Sequence, residues 1–258
     1  MSITGIIMSA GRGSRMQPLT NHTPKPLAKI TTNTSSKAEF NQYNDRTLLE
    51  INLKKMLPIV DKFVIVIHYL GQQIIDTIGY NYQGKAVEYV WAESPTTGTL
   101  DAFRVAIYGS KLTQKPTETN NFLVCNADNL CGDDYYQILS QQIQSNPNTA
   151  CLVATEINNH DILKSLGVFK INANNELLQV IEKSPVFVSN LANIGIYYFP
   201  NSVKNLISPT RVESTKEEPI TDLFTDYLAQ NTDKNNTIQI VSSTDHYVAI
   251  STVADLNL

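Results

Sequence analysis

The chain has 258 residues, 42% of them hydrophobic and 17% charged, with a formal net charge of −4. That length suits one large α/β domain or two small ones. The weakly acidic balance gives no electrostatic footprint for nucleic acid or an anionic membrane, and no apolar stretch reaches the roughly 20 residues of a membrane helix. Apolar runs then alternate with helical patterns through the first part of the chain. Ile3–Met8 reads as a buried strand, Leu48–Leu57 as a helix, Phe63–Ile67 as a strand and Gly71–Ile78 as a short helix. Val87–Trp91, Phe122–Cys125 and Cys151–Thr155 read as strands, with helices over Leu100–Ile107 and Tyr135–Ile143 between them. Parallel strands need crossover helices, so this rhythm predicts βαβ units.

The rhythm changes after about residue 160. Gly167–Ile171, Leu177–Ile181 and Ile194–Phe199 read as strands without full helices between them, and Asn172–Asn175 reads as a hairpin turn. Pro219–Gln230 reads as a late helix, and Thr237–Val241 and Tyr247–Ile250 as closing strands. The polar run Thr31–Asp45 reads as a mobile insertion loop whose shortening costs little stability. Cys125, Cys131 and Cys151 form no C-x-x-C pair and leave an odd count, so neither a disulfide framework nor a zinc site is expected. With no secretory leader in view, a reducing, cytoplasmic setting fits.

The strongest signal follows the first strand: Ser9-Ala10-Gly11-Arg12-Gly13-Ser14-Arg15-Met16-Gln17-Pro18-Leu19-Thr20, then Pro24-Lys25-Pro26-Leu27. A loop there sits where α/β sheets put their ligands, and glycines let backbone N–H groups approach a phosphate. Arg15 suits two phosphate oxygens at once, and Lys25 adds a compact charge for a five-coordinate phosphorus. The P-K-P-L tail separates the string from a dinucleotide fingerprint or a Walker loop.

The whole string resembles the signature of the sugar-1-phosphate nucleotidylyltransferase family, which includes thymidylyl-, uridylyl- and guanylyltransferases for sugars and cytidylyltransferases for phosphocholine. The resemblance implies a Rossmann-like α/β domain, a mixed and mostly parallel sheet between helices. Residues 1–160 would form its nucleotide-binding part and 161–258 its acceptor-binding part. It also implies catalytic roles for Arg15, Lys25 and Asp128. Ser9, Ala10, Gly11, Gly13, Gly98 and Thr99 would bind the nucleotide, with Gly98 against the base in Glu93-Ser94-Pro95-Thr96-Thr97-Gly98-Thr99. Gly167, Glu182, Lys183 and Asn193 would bind the acceptor, on the likeness of Glu182-Lys183 to E-K-P and of Asn193–Tyr197 to N-A-G-I-Y.

Asp128 ends an apolar strand in Ala127-Asp128-Asn129 where the family usually has G-D, and the resemblance makes it a ligand for Mg²⁺. The family's second metal carboxylate falls on Ala249. Asp245 is expected not to replace it, and Asp222 to open a helix instead. The implied reaction joins a nucleoside monophosphate from a triphosphate to a sugar 1-phosphate or similar phosphate ester. It releases pyrophosphate and involves neither nucleic acid nor membrane; a homo-oligomer stays open, as do the base and the acceptor. Ala249 also motivates an alternative, a catalytically weakened relative that binds nucleotides or nucleotide-sugars in a regulatory role.

Overall fold

The computed structural model describes residues 2–33, 38–93, 96–114, 120–210, 217–230 and 237–258. Strand β1 (Ser2–Met8) leads through the glycine loop to helix α1 (Leu48–Met56) and strand β2 (Lys62–Ile67). Helix α2 (Gly71–Ile78), the edge pair β3 (Asn81–Tyr82) and β4 (Lys85–Trp91), and helix α3 (Thr99–Gly109) follow. Strands β5 (Asn120–Asn126) and β6 (Asn129–Cys131) precede helix α4 (Asp133–Ser145), strand β7 (Ala150–Glu156) and the single turn α5 (His160–Leu163). The hairpin β8 (Gly167–Ile171) and β9 (Leu177–Glu182), strand β10 (Leu191–Phe199), helix α6 (Asp222–Gln230), and strands β11 (Ile238–Ser243) and β12 (Tyr247–Ala249) complete the chain.

The main sheet runs β11-β7-β10-β5-β1-β2-β4-β3, with the β8–β9 hairpin attached to β10. β1 pairs in parallel with β2 and β5, β2 with β4, and β7 with β11. β10 is inserted antiparallel between β5 and β7. The mixed, mostly parallel sheet expected from the sequence is therefore the one observed.

Alternation along each strand sends neighbouring side chains to opposite faces. Ile6 packs with Phe103, Phe122, Phe199 and Phe224 beneath α3 and α6, while Ile7 packs with Leu49, Leu53, Phe63 and Tyr135 beneath α1 and α4. Helix α1 starts at a capping box: Thr47 Oγ1 accepts from the Glu50 N–H at 3.1 Å, and Glu50 Oε2 accepts from the Thr47 N–H at 3.0 Å.

Three expectations need correction. The segment Thr31–Asp45, of which residues 34–37 lie outside the described residues, is not a mobile insertion. Ala38–Tyr43 form a 3₁₀ turn that buries Phe40 and Tyr43 beside Met16, Ile30, Leu48, Leu130, Ile250 and Leu256. Side chains three apart eclipse one another in a 3₁₀ turn, so two aromatics in a polar run share one buried face. The late helix starts at Asp222 rather than Pro219, because Glu218 and Ile220 are held by the start of α3. The sequence reading also passed over β6, which pairs antiparallel with β12 in a separate two-stranded sheet. No helix among the described residues is long and apolar enough to cross a membrane.

Candidate functional site

Strand register brings the site together. Met8, the last residue of β1, stands beside Val66 of β2 and Asn126 of β5. The loop after β1 and the turn after β5 therefore leave the same sheet edge, where an open α/β sheet offers a crevice. Gly13 is left-handed, at φ 65°, and its carbonyl accepts from the Met16 N–H and Thr20 Oγ1, each at 2.9 Å. A Cβ at Gly13 would lie 3.0 Å from Lys25 Cβ, so glycine serves both the backbone conformation and the passage of the lysine stem. Met16 is fully buried and anchors the loop, leaving Ser9, Ala10, Gly11, Gly13 and Arg15 to line a cleft of about 520 Å³. Gly98 and Thr99 line its other wall. Ser94 and Pro95 of the predicted base loop lie outside the described residues.

Lys25 crosses to the turn after β5. Its Nζ lies 2.5 Å from Asp128 Oδ2, with the lysine side chain 12% and the aspartate side chain 38% exposed. Thr99, Asn126 and Asp128 line the cleft and also an adjoining one of about 400 Å³, so the two halves meet at this ion pair.

The second half holds Gly167, Glu182, Lys183 and Asn193. Gly167 pairs with Glu182 across the hairpin, and a Cβ there would lie 2.7 Å from Glu182 Oε1. That oxygen accepts from Thr221 Oγ1 at 2.6 Å. Lys183 is a non-glycine residue at φ 48°, a conformation usually held in place by its surroundings at functional positions. Its Nζ reaches Glu217 Oε2 at 3.1 Å, with both side chains mostly exposed. Asn193 Oδ1 accepts from the Gly195 N–H at 2.9 Å, and its Nδ2 donates to the Tyr197 hydroxyl at 2.8 Å. Burial raises the Tyr197 pKa, so this hydroxyl stays protonated at neutral pH.

A family model described as "Nucleotidyl transferase" matches residues 4–242. The chain belongs to the nucleotidyl transferase family. It is 26% identical over 217 residues to the "Bifunctional protein GlmU" of Methanocaldococcus jannaschii, covering 84% of this chain and 45% of that protein. It is 24% identical over 216 residues to "Mannose-1-phosphate guanyltransferase 2" of Candida glabrata, covering 81% of this chain and 54% of that one. The chain thus spans about half the length of the curated relatives it matches. Among solved structures, a UDP-glucose pyrophosphorylase complexed with UDP-glucose shares the fold at a TM-score of 0.79 and 17% identity, covering 99% of this chain and 96% of that one. A putative glucose-1-phosphate thymidylyltransferase from Bacillus anthracis does so at a TM-score of 0.78 and 18% identity, covering 99% and 92%.

The acidic residues fall into distinct places. Ala249 pairs with Asn129, next to Asp128, and lines the second cleft. Asp245 is elsewhere: its carboxylate accepts from the N–H groups of Asp134 at 3.2 Å and His246 at 2.7 Å, at the start of α4. A Cβ on Gly132 would lie 1.7 Å from Asp245 Oδ2, so that glycine makes room for the carboxylate. Burial alone would raise the Asp245 pKa, but these hydrogen bonds and the His246 ring more than offset it and leave it below the usual carboxylate range. Asp222 is the first residue of α6, and burial with the nearby Asp226 and Glu218 raises its pKa. Asp255 accepts from the Ser251 and Thr252 N–H groups at 2.8 and 2.6 Å, closing the C-terminal turn. Among the described residues no three His, Cys, Asp or Glu side chains gather as a metal cluster.

Three positions escaped the sequence reading. Glu217 lines both halves and meets Lys183, with no motif around it to mark it. Glu218 seals the wall of the first cleft: its N–H donates to Thr97 O at 2.8 Å, and its carbonyl accepts from the Leu100 N–H at 3.0 Å. A Cβ on Gly98, at φ 149°, would lie 2.3 Å from Glu218 O, so a close backbone contact within the chain already demands a glycine there. The Glu218 side chain joins Arg104 and Asp101 in a largely buried ion network, with Arg104 Nη2 3.1 Å from Glu218 Oε2 and Nη1 3.0 Å from Asp101 Oδ1. Asn126 lines both halves from the end of β5, directly before the Ala127-Asp128 turn.

Proposed function

We propose that this chain is a sugar-phosphate nucleotidylyltransferase. It transfers a nucleoside monophosphate from a triphosphate to a sugar 1-phosphate or similar phosphate ester and releases pyrophosphate. The observation that carries this reading is the Lys25–Asp128 pair at the junction of two clefts, one walled by a glycine loop and the other by the β8–β9 hairpin. Two phosphorylated substrates brought to one such junction react chiefly through positioning and charge neutralisation.

An oxygen of the acceptor phosphate attacks the α-phosphorus in line; the new P–O bond forms as the bond to pyrophosphate breaks. Lys25 follows the charge that develops on the α-phosphate oxygens. Arg15 and the backbone of Ala10, Gly11 and Gly13 hold the outgoing phosphates. Lys183 exchanges the Glu217 carboxylate for the acceptor phosphate, and Glu182 offers Oε2 to acceptor hydroxyls, since Oε1 is engaged by Thr221. Ser9, Gly98 and Thr99 form the walls against the nucleoside, and Gly167 and Asn193 those against the acceptor.

The residues present fit Mg²⁺ as a one-carboxylate site. Asp128 Oδ1 has no hydrogen-bond partner among the described residues, and Ala249 brings no second ligand. Mg²⁺ accepts one or two carboxylates with substrate phosphates and water completing its shell, and it supplies charge neutralisation to the phosphates when bound. The setting proposed is cytoplasmic, with buried thiols kept reduced.

Ala249 supports a second reading, a relative that binds nucleotide-sugars without turnover. Pyrophosphate release with Mg²⁺ and a panel of triphosphates and sugar 1-phosphates, phosphocholine included, separates the two. Release with at least one pair sustains the transferase. Tight nucleotide-sugar binding without release from any pair sustains the second reading.

A further inference from the structure

Asn52 lies in the middle of α1, is 1% exposed, and faces the underside of the sheet edge that carries the site. Asparagine is a poor residue for a helix interior, and a buried amide is costly unless its polar atoms find partners. Every polar atom of Asn52 is engaged. Its Nδ2 donates to Leu48 O at 2.9 Å and Asn129 O at 3.0 Å, with a longer contact to Ala127 O at 3.4 Å. Its Oδ1 accepts from Cys125 Sγ at 3.2 Å. Burial pushes the Cys125 thiol up to about 12, so it remains an S–H donor at physiological pH.

Ala127 and Asn129 flank Asp128. One amide from α1 thus grips the carbonyls on both sides of that residue. The turn is held elsewhere too: Asn129 Nδ2 donates to Gly195 O at 3.1 Å, and the Ala127 N–H donates to Met8 O at 3.4 Å. Here Ala249 leaves the work to Asp128 alone, so the aim of that carboxylate depends on its turn.

We infer that Asn52 is a positioning residue, whose buried carboxamide fixes the turn that aims the Asp128 carboxylate at Lys25 and at the place where it would hold Mg²⁺. The inference rests on the proposed transferase reading. Residues that orient a metal-binding or catalytic side chain from behind typically cost 10–100-fold in metal affinity or activity when changed.

The test uses the full chain with Asn52→Leu, which keeps the volume roughly and deletes the hydrogen bonds, and Asn52→Asp, which keeps the shape and loses the amide donors. Leu139→Ala, on the buried face of α4, controls for lost stability alone. Three quantities are read: the melting temperature, the Mg²⁺ concentration for half-maximal turnover, and amide deuterium uptake over residues 126–131 without ligands. Asn52→Leu should raise the half-saturating Mg²⁺ and lower kcat, each by on the order of tenfold, and speed uptake over that turn. Leu139→Ala should lower the melting temperature while changing neither the Mg²⁺ requirement nor uptake over 126–131. In an Asp128→Asn background, Asn52→Leu should shift the Mg²⁺ requirement by less than about twofold, because the group it aims is gone.

A melting loss in Asn52→Leu with unchanged Mg²⁺ requirement and uptake, or an additive cycle with Asp128→Asn, overturns the inference. If the wild-type chain turns over no substrate pair, the transferase reading fails instead. Uptake over 126–131 then decides the role of Asn52 alone, and unchanged uptake overturns it.

Discussion

Phe40→Ala should strongly destabilise the fold, although Phe40 lies in a stretch whose composition looks like a polar loop. The ring is 8% exposed and packs in one cluster with Met16, Leu48, Ile250 and Leu256. It also meets the His246 ring edge-on, with centroids 5.0 Å apart. Truncating a buried phenylalanine costs about 3–5 kcal/mol in lost transfer energy and cavity formation. Unfolding entropy scales as about 2.1 cal/mol/K per residue, or roughly 0.54 kcal/mol/K for this chain, so the melting temperature should fall by about 5–9 °C. Circular dichroism melts of the wild type and variant measure this directly. Met16 anchors the glycine loop in the same cluster, so on the proposed reading Phe40→Ala should also weaken triphosphate binding, read by calorimetry below the melting range. A shift under about 2 °C, which corresponds to roughly 1 kcal/mol on the same scale, would show that residues 38–43 do not contribute to the core.

Lys25→Ala should lower kcat by about 10²–10³-fold, by analogy with removal of one transition-state donor. It should barely move the melting temperature, because a partly exposed ion pair contributes at most about 1 kcal/mol; near-normal kcat would remove Lys25 from its role. Ala249→Asp should lower the Mg²⁺ needed for half-maximal rate, since β12 sets that position beside Asn129; an unchanged requirement would contradict the assignment of Ala249 to the second-ligand position. Asp245→Asn should leave the Mg²⁺ requirement alone but destabilise the fold at neutral pH. The folded pKa of Asp245 lies below its unfolded value, so its contribution is present above about pH 4 and fades as pH falls through the depressed value. Denaturant titrations of the variant and wild type should therefore converge in acid, and a constant gap down to pH 2 would refute the assignment.

The features legible in the sequence were those written locally. The phosphate loop is one contiguous string, and the main strands are apolar runs long enough to stand out from their surroundings. Lys25 and Asp128 were each marked by their own neighbours, and only strand register brought them to 2.5 Å. Contacts made by few residues at long separation were not legible. The β6–β12 pair unites two three-residue segments more than a hundred positions apart. Phe40 and Tyr43 were hidden because composition averages over a run, whereas burial is decided by one face of a turn. Asn52 was hidden because a single asparagine in an amphipathic helix carries no pattern, and its partners lie 75 and 77 positions along the chain. Gly98 was read only as a residue lying against the base, and the contact that requires a glycine there is made by Glu218, outside any motif.

The most direct test of the account is ³¹P NMR of the purified chain with Mg²⁺, five nucleoside triphosphates in turn, and a panel of sugar 1-phosphates with phosphocholine included. The account predicts that one pair yields stoichiometric pyrophosphate and a new diphosphate diester, and that Lys25→Ala and Asp128→Asn, both folded, form that product far more slowly. No product from any pair with the wild-type chain, or a product that forms equally well with both variants, would contradict it.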